Sequence, residues 1–169
     1  MSGTLDGTIR VAGDVLPLAG GTGYHDHNWG FWEGVSWQWG QVQHEGLSIL
    51  YGRVFPPADA ADASRIPGFL MVLGPEGPLR QTTRVSIEEA IDLARSRPSR
   101  ITVRGNSPSP DFRLDVDVES AIRTPMRDGP LAEGLDFLRM RGRYRVSGTA
   151  GERTLDFVAP GSAETFRGR

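Results

Sequence analysis

The chain has 169 residues, no cysteine and a formal net charge of −2, from 19 basic and 21 acidic residues. This length suits one domain with a real core, and 22 glycines with 12 prolines favour short strands and turns over a helical bundle. The absence of cysteine excludes disulfides, thiolate nucleophiles and cysteine-ligated zinc. The weak negative charge gives no electrostatic reason to expect nucleic acid as a partner.

The first residues, MSGTLDGTIRVAGD, have neither the basic segment nor the apolar run of a secretion signal. No stretch approaches the roughly 18 apolar residues that a membrane-spanning helix needs. We therefore expect a cytoplasmic protein with no membrane span.

Polar and apolar residues alternate along much of the chain, and glycine, proline and aspartate interrupt the alternation. This pattern predicts short antiparallel strands. The predicted strands span 7–12, 35–43, 47–55, 69–74, 101–104, 111–119, 137–148, 153–158 and 163–167.

One segment predicts a helix instead of a strand. In SIEEAIDLARSRP (86–98), Ser86 precedes Glu89 by three residues, as in a capping box, and the pattern ends at Pro98. A short helix near 87–96 would bury one apolar stripe, formed by Ile87, Ala90, Ile91 and Ala94.

Four arginines share one face of the predicted strand 137–148. A nucleic-acid interface is one interpretation of this row. We favour a solvated face opposite the acids of the predicted strand 111–119, because opposite charges commonly pair across strands. The four residues are Arg139, Arg141, Arg143 and Arg145.

These elements predict a mainly-β fold, an antiparallel barrel of about eight or nine strands with one short helix. Closure of the barrel is favoured because it removes exposed strand edges. A barrel of this size can hold one small ligand in its interior. We expect a single domain over residues 1–169.

The segment YHDHNWG (24–30) concentrates two imidazoles, a carboxylate, an amide and a phenol. Each of these groups would need a polar partner if it were buried, so a functional site explains the segment better than a core does. In an extended chain, His25, His27 and Trp29 share one face, and Tyr24 and Asp26 share the other.

Two chemistries fit this segment. The favoured one is proton transfer in an aromatic pocket, where Asp26 or a protonated histidine donates and aromatic faces stabilise the resulting cation. The other is a zinc site formed by His25, His27 and His44. It is weaker because His44 lies on the face opposite two tryptophans of the same predicted strand, so we expect no metal and no cofactor. Those tryptophans, Trp37 and Trp39, are interpreted as an aromatic wall of the barrel.

The stretch GTGYHDHNWG (21–30) resembles the signature of the carotenoid 1,2-hydratases, or hydroxyneurosporene synthases, and of related lipocalin-like hydratases and isoprenoid cyclases. GSAETFRG (161–168) is similar to their last strand. The resemblance implies a lipocalin-like (calycin) barrel and acid-catalysed addition of water to a terminal isoprenoid double bond. By position, His27 and Trp29 match the functional histidine and tryptophan of the motif, and Tyr51 matches a functional tyrosine.

The chain departs from the family where the resemblance places the proton donor. The family has an aspartate two residues after the tyrosine, whereas this chain has Arg53. A guanidinium keeps its proton, so it does not protonate an alkene. Either Asp26 or protonated His27 is then the donor, or the reaction differs, or this barrel does not catalyse. Arg53 beside Tyr51 suits a substrate carboxylate or another oxyanion.

The position of the YHDHNWG motif in the chain indicates which partners to expect. In the two-barrel family it lies near the middle of the chain, whereas here YHDHNWG begins at residue 24. The resemblance therefore covers one barrel, the second of the pair. We expect this barrel to pair with another, either in a homodimer or with a second barrel domain.

The leading hypothesis is a hydratase (hydro-lyase) or cyclase that acts on a hydrophobic isoprenoid- or polyene-type molecule inside the barrel. One alternative is a pericyclase-type cyclase, which needs only a shaped pocket and a hydrogen-bond donor or cation. Another is a lipocalin-like binding protein without turnover. The predicted catalytic residues are His27, Asp26 and Tyr51, and the predicted substrate-binding residues are Tyr24, His25, Trp29, Trp37, Trp39 and Arg53.

Overall fold

The computed structural model describes residues 2–27, 36–55, 68–105, 112–125 and 135–168. Within these ranges every regular element is a strand, and no helical segment is long and apolar enough to cross a bilayer. The chain falls into two compact units, Met1–Phe31 and Trp32–Arg169. The strands are β1 (Ser2–Leu5), β2 (Thr8–Val11), β3 (Asp14–Pro17), β4 (Gly21–Tyr24), β5 (Ser36–His44), β6 (Leu47–Phe55), β7 (Phe69–Gly74), β8 (Gly77–Thr82), β9 (Val85–Asp92), β10 (Arg97–Gly105), β11 (Phe112–Pro125), β12 (Leu135–Ala150) and β13 (Arg153–Gly168).

The first unit is one hairpin laid inside another. β2 pairs with β3, and β1 pairs with β4, both antiparallel. Ala12 and Gly13 both have positive φ, 49° and 95°, at the turn between β2 and β3. A two-residue turn of this kind matches the right-handed twist of the strands that it joins.

The second unit is a single antiparallel sheet of nine strands. Consecutive strands from β5 to β13 are neighbours, with the exception of β8 and β9, and β13 returns to pair with β5. The two sheet edges are therefore β8 and β9, although only Thr83 and Arg84 separate them in the chain. Because the link is so short, the sheet must curl until its two edges approach each other.

Contacts across the inside of the sheet agree with this curl. The phenol groups of Tyr51 on β6 and Tyr144 on β12 lie near enough to interact, although their strands are three apart in the sheet order. Near the edges, the Arg80 guanidinium of β8 donates to the Thr149 carbonyl of β12 at 2.8 Å. The prediction of a mainly-β, antiparallel, barrel-like fold is confirmed.

The core lies on the inner face of the sheet, to which every strand from β5 to β13 contributes. Alternate residues of each strand face inward, as expected for a pleated strand with one buried face. The largest fully buried side chains are Tyr51, Tyr144, Phe112, Ile49, Leu70, Ile101, Leu114, Gln38, Val42, Val72, Val103 and Val116.

The predicted helix near 87–96 is wrong. Residues Val85–Asp92 form β9, which pairs with β10, and the residues after it form a turn. The capping-box pattern is local, whereas the pairing with β10 supplies a row of cross-strand contacts that outweighs it. β10 itself includes Pro98, and the pairing shifts register between Pro98 and Arg100, as expected where a residue lacks its N–H.

Two of the four arginines in the row on β12 lie opposite acids of β11, as expected for a solvated face. Arg145 pairs in register with Asp115 and Arg143 with Asp117, and the Arg143 guanidinium is 3.3 Å from the Glu119 carboxylate. On the inner side of β12 an ion pair is nearly buried. The Asp136 side chain is 7% exposed and accepts a hydrogen bond from the Arg123 guanidinium at 2.5 Å.

Candidate functional site

Four of the predicted site residues belong to the first unit. Tyr24 is the last residue of β4 and is half-buried, whereas His25, Asp26 and His27 follow the strand and are exposed. The two imidazole rings have centroids 6.4 Å apart, consistent with their predicted position on one face of an extended segment. Trp29 lies outside the described residues.

Tyr51 belongs to the second unit, in the middle of β6, and its side chain is 0% exposed. Its ring lies against Gly40, the residue that pairs with it on β5. A Cβ atom on Gly40 would be 2.5 Å from Cε1 of that ring, so only glycine leaves room for it. The aromatic ring in turn covers a glycine that would otherwise leave a gap in the inner face.

The Tyr51 hydroxyl is part of a hydrogen-bonded chain. The Gln38 side-chain amide donates to it over a long 3.5 Å contact, and the phenol group of Tyr144 lies near enough to interact with it. The Tyr144 hydroxyl donates to the Ser162 carbonyl at 2.6 Å.

Burial keeps both phenols protonated. It raises the pKa of Tyr51 to about 12, and the nearby Glu89 charge adds to the rise, while the hydrogen bonds from Gln38 and Tyr144 oppose it. The pKa of Tyr144 is raised well above its ordinary value, again mainly by burial and then by Tyr51. The pair can therefore donate hydrogen bonds at any ordinary pH, but neither is an effective acid.

Glu89 is a site residue that the sequence interpretation missed. It lies on β9 opposite Ile101, whose side chain is 0% exposed, so the register directs Glu89 to the inner face. Its Oε1 atom is buried, and its charge contributes to the raised pKa of Tyr51. The alternation of Val85, Ile87 and Glu89 is the signal in the sequence that could place Glu89 on the inner face of a strand. The same residues also fit the predicted helix, which hid this role.

Arg53 occupies the next inner-face position of β6 after Tyr51. It pairs in register with Gln38 and is half-buried. Its guanidinium carbon is 5.7 Å from the centroid of the Phe55 ring. The prediction that Arg53 and Tyr51 share a face is confirmed, so a cation and a neutral phenol lie side by side on β6.

Trp37 and Trp39 lie on the outer face, which differs from the interpretation of an aromatic wall. The inner residues of β5 are Gln38, Gly40 and Val42, whereas the two tryptophans are half-buried on the other side. The Trp37 ring packs on Phe166 with centroids 4.1 Å apart. The physical reason is the Tyr51 ring, which fits only over a glycine and so directs the glycine face of β5 inward.

Two cavities lie at opposite ends of the second unit. One, of about 450 Å³, follows the ends of β7 and β8, and Phe69, Met71, Thr83 and Arg84 are among its lining residues. The other, of about 350 Å³, lies between the turn after β5 and the start of β13, where His44 stacks on Phe157 at a centroid distance of 4.2 Å.

The described residues contain no group of three or more histidine, aspartate or glutamate side chains placed to hold a metal ion. His44 belongs to the second unit, and His25 and His27 belong to the first.

No protein-family model matches the chain, and no curated protein matches it either.

Proposed function

We propose that the chain is an enzyme acting on a hydrophobic isoprenoid- or polyene-type small molecule, by hydration or cyclisation similar to that of the carotenoid 1,2-hydratases. The observation that carries the proposal is the set of buried polar side chains Gln38, Tyr51 and Tyr144 on a largely apolar inner face, where the Gln38 amide donates to the Tyr51 hydroxyl and the Tyr144 hydroxyl donates to the Ser162 carbonyl. Burying three polar side chains costs free energy that apolar residues would avoid. A role in binding or reaction accounts for keeping them.

The proposed reaction begins with a proton transferred to the substrate double bond, whose π electrons form the new C–H bond. The resulting carbocation then either takes up water, which loses a proton to the conjugate base of the donor, or closes on a second double bond. In the second case the new carbocation loses a proton to the same base, which leaves a cyclic isomer of the substrate. Asp26 and His27 are the donors predicted from the sequence. Tyr51 acts as a hydrogen-bond donor, because a pKa of about 12 prevents it from supplying the proton. Its ring face favours a nearby cation.

Incubation of the protein with an acyclic isoprenoid alkene in water labelled with heavy oxygen tests this proposal. Hydration is expected to produce an alcohol that carries the heavy oxygen, and cyclisation an isomer with unchanged mass and altered chromatographic retention. Tyr51→Phe should slow either reaction. Recovery of unchanged substrate from the wild-type protein across a panel of acyclic isoprenoids would contradict catalysis.

The second candidate is a lipocalin-like binding protein without turnover. The complete burial of Tyr51 and Tyr144 favours it, because two phenols that retain their protons suit recognition better than proton transfer. The same experiment separates the candidates. A binding protein would retain the isoprenoid through gel filtration and release it unchanged.

A further inference from the structure

The cavity of about 450 Å³ along β7 and β8 also reaches the short link between β8 and β9, and its volume is within the range of small-molecule sites. Its lining has two chemically different parts. β7 supplies apolar side chains, whereas the end of β8 and the link supply polar side chains and one arginine. A cavity with one apolar side and one charged side suits a ligand that is itself amphipathic.

Packing against β6 holds the apolar wall of this cavity in place. Phe69 and Met71 flank Leu70, whose side chain is 0% exposed on the inner face, so both belong to the outer side of β7. The Phe69 ring lies over Gly52, where a Cβ atom would be 2.6 Å from Phe69 Cε1 and 3.1 Å from Trp39 Cδ1. Phe69 is nevertheless 38% exposed, so a positioned aromatic surface remains for a ligand.

Arg84 supplies the positive charge of the cavity. Its backbone N–H donates to the Thr82 hydroxyl oxygen at 3.1 Å, and Thr82 is only 8% exposed, so the turn that carries the arginine is fixed to a nearly buried residue. In the ranges that the structure describes, no carboxylate is paired with the Arg84 guanidinium, whereas Arg104 on β10 is paired with Glu88 at 2.7 Å. An arginine in this state is available to an anion from outside the chain.

The polar groups of the cavity favour an anion with a single charge. One guanidinium balances one negative charge, and its planar fork matches the two oxygens of a carboxylate. Gln81 and Thr83 line the same cavity and contribute an amide and a hydroxyl that can donate further hydrogen bonds. A phosphate monoester carries about −1.5 to −2 at neutral pH, which exceeds the charge of one arginine.

We propose that this cavity binds an amphipathic carboxylate, whose head group pairs with Arg84 and whose hydrocarbon chain lies on Phe69 and Met71. A solvated turn would account for Arg84 alone, but it would not account for the positioned and exposed ring of Phe69 that lines the same cavity. The site lies on the outer side of β7. It is a second ligand site and does not depend on the reaction proposed for the inner face beside Tyr51.

Isothermal titration of the full chain at neutral pH tests the proposal with four probes of similar length. Octanoate is a monoanion, 1-octanol is neutral, octylamine is a cation, and octyl phosphate carries the larger negative charge. The wild-type protein is expected to bind octanoate about tenfold more tightly than 1-octanol, and octylamine more weakly than either.

Variants assign the two parts of the site. Arg84→Gln should remove the preference for octanoate and leave the affinity for 1-octanol unchanged, and Arg84→Lys, which keeps the charge, should retain most of the preference. Phe69→Ala should weaken the binding of octanoate and 1-octanol alike. Arg53→Gln is the matched control, because Arg53 lies on the inner face and outside the cavity lining, and it should retain the preference.

Each other outcome overturns a part of the proposal. If 1-octanol binds as tightly as octanoate, or if the preference survives Arg84→Gln, the role of Arg84 is wrong. Loss of the preference in Arg53→Gln would place the carboxylate on the inner face instead. Tighter binding of octyl phosphate than of octanoate would contradict the carboxylate class, and failure of all four probes to bind would contradict the site. None of these results bears on turnover of an isoprenoid, so the proposed function is tested separately.

Discussion

Gly40→Ala should destabilise the protein, because the new methyl group would enter the space of the Tyr51 ring. The ideal Cβ position is 2.5 Å from Cε1 and 2.6 Å from both Cζ and the hydroxyl oxygen. All three atoms belong to a completely buried side chain, so the ring or β5 must move. Overpacking of this kind costs about 1–3 kcal/mol, and a weakened buried hydrogen bond adds about 1 kcal/mol. We expect a loss of roughly 2–4 kcal/mol in the free energy of unfolding.

Urea denaturation followed by circular dichroism measures this loss. For a chain of this size it corresponds to a fall in Tm of roughly 5–15 °C. Gly3→Ala is the control, because a Cβ atom there would meet nothing within 4 Å, and it should change stability by less than about 0.5 kcal/mol. In a Tyr51→Leu background the cost of Gly40→Ala should shrink. A loss below about 0.5 kcal/mol in the wild-type background would show that the ring does not lie against Gly40.

Three further predictions concern pH, buried charge and the histidines. Because the pKa of Tyr51 rises from 10.0 in the unfolded chain to about 12 in the folded one, its contribution to stability is complete below pH 10. That contribution, about 3 kcal/mol, should be lost between pH 10 and 12. Tyr51→Phe should therefore flatten this part of a plot of the free energy of unfolding against pH. If the variant and the wild type gave the same curve, the assigned burial of Tyr51 would be refuted. Asp136→Asn removes a nearly buried carboxylate from its arginine partner and should lower the free energy of unfolding by about 1–3 kcal/mol in urea denaturation. Arg143→Ala, at an exposed pair, should lower it by less than about 0.5 kcal/mol. Equal losses in the two variants would contradict the difference in burial. His27→Ala should abolish formation of the labelled alcohol or cyclic isomer and leave the far-ultraviolet circular dichroism spectrum unchanged. His44→Ala should retain the activity. Activity of His27→Ala within about threefold of wild type would exclude that histidine as donor.

The strands were largely predictable because one buried face imposes an alternation with period two. DFRLDVDVE and FLRMRGRYRVSG both fall within long strands, β11 and β12, that pair with each other in the structure. The segment 86–98 was not predictable in the same way. Its capping box and its alternation Val85, Ile87, Glu89 indicate different structures, and only the pairing with the distant β10 decides between them.

The sequence predicts which residues of a strand share a face, but it does not predict whether that face points into the barrel-like interior or outward. Parity grouped Trp37 with Trp39 and Tyr51 with Arg53, and both groupings hold. Hydrophobicity alone then favoured the tryptophans as the inner side chains of β5. The deciding residue is Gly40, whose missing side chain admits the Tyr51 ring of the next strand. The sequence of one strand, taken by itself, does not indicate how closely a side chain of the neighbouring strand approaches it.

The hydrogen-bonded chain was the least predictable part of the site. Gln38, Tyr144 and Glu89 each appeared as an ordinary member of an alternating strand or of a helix. Gln38 meets Tyr51 through the pairing of β5 with β6, whereas Tyr144 and Glu89 approach it because the sheet curls and brings β9 and β12 around the same interior. Curling depends on all nine strands at once, so no local pattern encodes it.

We propose that a hydrophobic ligand occupies the inner face beside Tyr51, and not the outer aromatic face that carries Trp37 and Trp39. A nuclear magnetic resonance titration with geraniol, on protein labelled in the tyrosine and tryptophan rings, tests this most directly. We expect saturable shifts in the ring signals of Tyr51 and Tyr144, with the signals of Trp37 and Trp39 unchanged. Saturable shifts confined to the tryptophan rings, with both tyrosine signals unmoved, would contradict it.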